Sequence, residues 1–159
     1  MNMRAYLDSL RGKTVAVIGI GVSNTPLVKL LCREGISVTA CDRRSRADLG
    51  ELAGELEGAG AALQLGDGYL ENLTQDVIFR TPGLRPDVPQ LREAVARGSV
   101  LTSEMEEFFH VCPCPIIAVT GSVGKTTTTT IIAELLRAAG KTVHLGGNIG
   151  HPLLCDAGE

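Results

Sequence analysis

Residues 116–132 read IIAVTGSVGKTTTTTII, and the way this stretch divides decides the fold. Ile116 to Thr120 is a mostly β-branched run without a charge, the pattern of a short strand covered on both faces. From Thr126 to Ala139, the apolar residues Ile131, Ile132, Leu135, Leu136 and Ala139 recur at helical spacing. Between the two, Gly121, Ser122, Val123 and Gly124 allow a sharp turn with its N–H groups pointing inward. Such a turn feeding a helix N-terminus cradles phosphate, because free amides and the helix dipole both favour an anion. Lys125 adds a point charge for outer phosphates, and Thr126 a hydroxyl for a magnesium ion. The match is to the short form T-G-x-x-G-K-T, since Val119 stands where the longer phosphate-loop pattern has its first glycine. Gly-Lys-Thr alone reads as an ordinary turn. A strand before it, a helix after it and a glycine three residues earlier make it a nucleotide site. Thr127 to Thr130 fill the first helical turns, where hydroxyls bond helix carbonyls or face solvent.

Composition narrows the function classes. The 159 residues suffice for one good core, or for one domain and part of another. Fifteen basic and 18 acidic residues give a net charge of −3, and only 3% of residues are aromatic. With no basic stripe, a nucleic-acid platform is excluded. No apolar run reaches membrane-spanning length and no signal-peptide pattern opens the chain. Five scattered cysteines, with Cys112 and Cys114 in a proline-flanked C-x-C lacking a second pair, fit reduced thiols of a cytoplasmic protein better than a zinc site.

Ahead of the opening stretch, short apolar runs alternate with helical patterns. Val15–Ile18, Ile36–Cys41, Ala62–Leu65, Val77–Phe79 and Val100–Thr102 read as strands. Helices are expected after Thr25, which can cap, and Pro26; over Leu49–Leu56; from Asp87 and Pro89 to Arg97; and over Glu104–Val111. Such alternation means repeated βαβ units and a parallel sheet. The fold class is therefore α/β: a Rossmann-like parallel-sheet domain over residues 1–111, then the beginning of a P-loop ATPase domain over 112–159, with Pro113 and Pro115 at the hinge. Lys141–Leu145 reads as one more strand of that second unit, with His144 inside it. The unit looks cut short, so it is expected to expose apolar surface open to self-association.

A second glycine turn sits in VIGIGVSN, residues 17–24, where Gly19 and Gly21 follow the first strand and Asp42 ends the second. The arrangement is close to a dinucleotide fingerprint, in which glycines admit a pyrophosphate and an acidic residue takes a ribose hydroxyl. Asn24 replaces the third glycine, and Arg43, Arg44 and Arg46 crowd the loop after Asp42. NAD and a nucleotide diphosphate both remain open on these residues. Asp42 alone also reads as a solvated strand end.

With two phosphate-type loops on consecutive α/β units, the chain resembles the Mur ligases, ATP-dependent amide-forming enzymes of peptidoglycan synthesis with three domains. The likeness rests on TGSVGKTT, on GGNIGHPLL (146–154), on RTPGLRPD (80–87) and on SEMEEFF (103–109). As an ordered set these segments resemble the branch that joins D-glutamate to UDP-N-acetylmuramoyl-L-alanine. Family members commonly carry Asn or His where this chain has Val123, which keeps the amide cradle and loses a polar contact.

The resemblance implies roles. Gly121, Ser122, Val123, Gly124, Lys125, Thr126 and Thr127 would hold ATP, with Thr126 on Mg2+ and Lys125 neutralising charge on the transferring phosphoryl group. The backbone of Val22 and the side chain of Ser23 would meet the precursor diphosphate. Asp42 would accept from uracil with Arg43 or Arg44 packed against it, Thr81, Pro82 and Gly83 would wall the pocket, and Asn148 would touch the precursor near its reacting end. The resemblance further implies a monomeric full-length enzyme and an amino-acid domain outside this chain, so the chain alone is expected to be inactive. Three other readings compete: a sibling Mur ligase adding another amino acid, against which GGNIGHPLL argues; a nicotinamide-binding oxidoreductase domain, which leaves GSVGKTT unexplained; and a non-catalytic phosphate-loop switch, which leaves the first glycine turn unexplained. His110 reads as a helix-end residue and His151 as a loop residue.

Overall fold

The computed structural model describes residues 1–147 and 152–157. Its centre is β1 (Thr14–Ile18), flanked by β2 (Ser37–Asp42) and β4 (Val77–Phe79); β3 (Ala62–Leu65) and β5 (Val100–Thr102) form the two edges. The order β3-β2-β1-β4-β5 is parallel throughout. Because side chains alternate along a strand, β1 feeds two cores. Val15 and Val17 join one with α1 (Met3–Leu10), α2 (Asn24–Arg33), α4 (Glu51–Gly58) and α6 (Glu104–Val111). Ala16 and Ile18 join the other, with Leu70, Leu73 and two residues of α5 (Pro89–Ala96), Leu91 and Ala94. A central strand buried on both faces is what its unbroken apolar run demands.

All five expected strands of the first unit are present. Helix α1 is an addition to the expected elements: Met3, Tyr6, Leu7 and Leu10 are buried at helical spacing, and the Asn2 side chain accepts from the Ala5 amide at 2.8 Å. Three expectations need correction. Thr25 does not cap α2: the cap position is Ser23, without a side-chain bond. The expected helix at 49–56 is divided into α3 (Arg46–Leu49) and α4 by Gly50, whose φ of 58° and ψ of −130° break the helical path. Neither Ile116–Thr120 nor Lys141–Leu145 forms a strand, so His144 lies in irregular chain. A strand satisfies its amides only from a neighbour, and no described residue pairs with either segment in a ladder.

Helix α7 (Lys125–Ala138) forms as expected within a residue, yet buries only Ala133, while Ile131 and Leu135 are exposed. The short α8 (Leu153–Asp156) lies against α6 and α2 of the first unit. Leu154 is fully buried there, and its amide donates to Glu104 Oε1 at 2.6 Å.

Candidate functional site

In this sheet β2 and β3 lie to one side of β1, and β4 and β5 to the other. The chain reverses direction across the sheet between β1 and β4, and a crevice opens outside the strand C-termini at such a point. Gly19 follows β1 with φ +84°, and its amide donates to the Cys41 carbonyl at 2.7 Å. A Cβ on Gly19 would stand 2.9 Å from both Cβ and Cγ2 of Thr81, just beyond β4, so only glycine lets the two strand ends approach this closely. Gly21 continues the turn, accepting from the Thr25 amide at 3.0 Å and leading into α2.

Asn24 stands where a third glycine was expected and performs a different task. Its Nδ2 donates to the carbonyls of Ile18 at 3.0 Å and Gly19 at 2.9 Å, and the residue is buried. The side chain pins the first turn of α2 to the end of β1. Sequence reasoning did not assign it a role. Its signal was a polar residue at a position that packs helix against strand.

Asp42, 7% exposed at the end of β2, is the electrostatic centre of the turn. Oδ2 accepts from the Ile20 amide at 2.7 Å and from Arg44 Nη2 at 3.0 Å; Oδ1 accepts from the Arg44 amide at 2.9 Å and Nε at 3.0 Å. Four donors fill the four lone-pair directions of a carboxylate. Burial works to raise the Asp42 pKa, but the Arg44 side chain, the Arg44 and Ile20 amides and the Arg44 charge outweigh it and hold the carboxyl below its ordinary value. Arg44 also donates from Nη2 to the Ile20 carbonyl, so its guanidinium spans the turn from β2 to β1. Val22 and Arg43 are exposed, Ser23 and Thr81 half-buried. The structure thus brings the glycine turn, Asp42, Arg44 and Thr81 to one end of the sheet.

The second loop stands apart. Gly121 and Gly124 have φ of +152° and +81°, and Gly124 caps α7 in the left-handed region. The first three amides of α7, on Lys125, Thr126 and Thr127, have no intrahelical acceptor. Val123 is 93% exposed at the tip. Lys125 Nζ folds back to donate to the carbonyls of Gly121 and, at 3.3 Å, Ser122. Thr129 Oγ1 donates to the Lys125 carbonyl at 2.7 Å, one of the two behaviours expected of the threonine run. The turn, the free amides and the lysine are groups that suit a polyphosphate, and the Thr126 hydroxyl is an oxygen of the kind a hard cation takes. Among the described residues, no three His, Cys, Asp or Glu side chains are grouped to hold a metal, and no hydrogen bond or ion pair joins this loop to the first turn. Asn148 and His151 lie outside the described residues.

Two family models match separate segments of the chain. Residues 13–103 match the family model of the Mur ligase MurD-like N-terminal domain, and residues 119–156 that of the Mur ligase middle domain. The chain is 48% identical over 155 residues to a UDP-N-acetylmuramoylalanine--D-glutamate ligase from Clostridium novyi, covering 97% of this chain and 34% of that protein. A protein of the same name from Ruminiclostridium cellulolyticum is 51% identical over 96% of this chain and 33% of its own length. The chain therefore spans about a third of the curated relatives it matches. Among solved structures, a murein peptide ligase from Psychrobacter arcticus superposes with a TM-score of 0.52 at 26% identity, covering 81% of this chain and 27% of that one. The N-terminal model alone takes in more than half of the residues, including the whole five-stranded sheet and its glycine turn, and on that match the chain belongs to the Mur ligase family.

Proposed function

We propose that the chain carries the precursor-binding part, residues 1–111, and the start of the ATP-binding part, residues 112–159, of a ligase that joins D-glutamate to UDP-N-acetylmuramoyl-L-alanine in peptidoglycan synthesis. The observation that carries this reading is the turn at the β1/β4 switch point, where Gly19, Asp42, Arg44 and Thr81 converge. The identity to D-glutamate ligases over nearly the whole chain supports the choice of branch.

In this reading the amides after Gly21, with Ser23, face the precursor diphosphate, and Thr81 forms a wall. Asp42 first fixes the Ile20 amide. It accepts from the uracil ring only when Arg44 gives up one of its bonds and packs over the base, with Arg43 available beside it. ATP held on the second loop would supply the phosphoryl group that activates the precursor carboxylate, and the D-glutamate amine would displace phosphate. Lys125 exchanges the carbonyls of Gly121 and Ser122 for outer phosphate oxygens, where its charge has greater effect. The Thr126 hydroxyl faces Mg2+, the amides from Gly121 to Thr127 surround the phosphates, and Asn148 is assigned to the precursor. The enzyme would work in the cytoplasm, where its soluble nucleotide substrates are.

Calorimetric titration of the chain with UDP-N-acetylmuramoyl-L-alanine, UDP, NAD and ATP tests the reading. The precursor is expected to bind best. NAD binding above both UDP compounds would replace the ligase reading with the oxidoreductase one.

A further inference from the structure

The C-x-C at the junction of the two family segments has no part in the proposed ligation. Cys112 ends α6, where its amide donates to the Phe108 carbonyl at 2.9 Å and its half-buried side chain packs against the core. Cys114 is exposed two residues on, between Pro113 and Pro115, and its hydrogen bond with Cys112 holds its thiol above the ordinary value, so its attack quickens as pH rises. Their sulfurs are 3.6 Å apart, and Cys112 Sγ also donates to the Cys114 carbonyl at 3.4 Å. A bond between them requires closing to about 2.05 Å, a displacement that side-chain rotation and the irregular chain at Cys114 can supply. The other three thiols are differently placed. Cys41 is buried in the sheet, its thiol pushed up to about 12 by burial; Cys32 and Cys155 pack against the core, and burial with nearby Glu104 and Asp156 pushes Cys155 up to about 11.

We propose that Cys112 and Cys114 form a thiol–disulfide exchange site that takes a low-molecular-weight disulfide, of the glutathione disulfide class, as its oxidant. The exposed Cys114, as thiolate, attacks one sulfur of the oxidant; that S–S bond breaks and the first small thiolate departs. Cys112, after losing its proton, attacks Cys114 Sγ, forming the internal S–S bond and expelling the second small thiolate. The two protein thiol protons end on the two released thiols, so the dithiol is oxidised by two electrons and the small disulfide reduced by two. Proximity favours ring closure over a lasting mixed disulfide. The closed ring ties the exit from α6 to the segment leading into the phosphate loop.

The test exposes the chain to a series of glutathione disulfide to glutathione ratios, then quenches, digests with trypsin and weighs the peptides. Residues 98–125 form one peptide, which contains Cys112 and Cys114 and no other cysteine. It is expected to lose two hydrogens at ratios that leave Cys32, Cys41 and Cys155 free, and to regain them with dithiothreitol. Cys112→Ser and Cys114→Ser should each stop at a single glutathione adduct on the remaining thiol. A wild-type peptide that accumulates the adduct without closing, stays reduced until the buried thiols react, or joins a second chain overturns the proposal.

Discussion

Asn24 and Asp42 divide the work of the first glycine turn between them. Asn24 satisfies two carbonyls at the end of β1, and Asn24→Ala leaves both without that donor in a buried place. Such a loss costs about 1–3 kcal/mol, to be read as a lower urea midpoint with an unchanged slope; an unmoved midpoint would mean the two bonds contribute nothing. Asp42 titrates below its ordinary value of 3.8, so its stabilising contribution is complete above that value and fades as pH falls through the lowered one. In an acid titration, the Asp42→Asn chain should lose less stability than wild type below about pH 4; parallel curves would show that the Arg44 pairing carries no linkage. At the second loop, Lys125→Ala should weaken ATP binding tenfold or more, since a hydrogen bond to a charged group contributes about 1.5–3 kcal/mol. Equal affinity for both chains would remove Lys125 from the phosphate site.

Two helices connect the described part of the second family segment to its surroundings in opposite ways. Helix α8 is anchored, with Leu154 buried and its amide on Glu104, whereas α7 buries only Ala133. Burial chiefly raises the Glu104 pKa above its ordinary 4.5, with the Asp156 charge adding to it and the Leu154 amide opposing. A raised carboxyl stabilises the docked state in its neutral form, so docking is strongest below the ordinary value and weakens as pH rises through the raised one. Glu104→Gln keeps an acceptor for Leu154 and should remove that dependence; amide exchange in α8 that still quickens with pH in this variant, after correction for intrinsic rates, would assign it elsewhere. Helix α7, with Ile131 and Leu135 exposed, should exchange its amides much faster than β1 in a dilute monomer. Equal protection would contradict the packing described. The same contrast explains what the sequence made legible. The five strands of the first unit were readable because each apolar run has a partner strand in the chain. Ile116–Thr120 has the same composition, but composition cannot state whether a neighbour exists to pair with it. The break at Gly50 depends on a backbone angle, and the saturation of Asp42 on the reach of Arg44 across two strands. Neither leaves a periodic trace. Helix α1 does leave one, at Met3, Tyr6, Leu7 and Leu10.

For the molecule as a whole, the first unit is a five-stranded parallel sheet with a built turn, and the second loop is a glycine turn at the start of an exposed helix. Amide shift mapping with UDP-N-acetylmuramoyl-L-alanine shows whether the first turn holds the precursor. Saturable shifts are expected at residues 19–23, at Asp42 to Arg44 and at Thr81, unchanged by competing NAD. Shifts centred elsewhere, or a precursor displaced by NAD at comparable concentration, would contradict that placement.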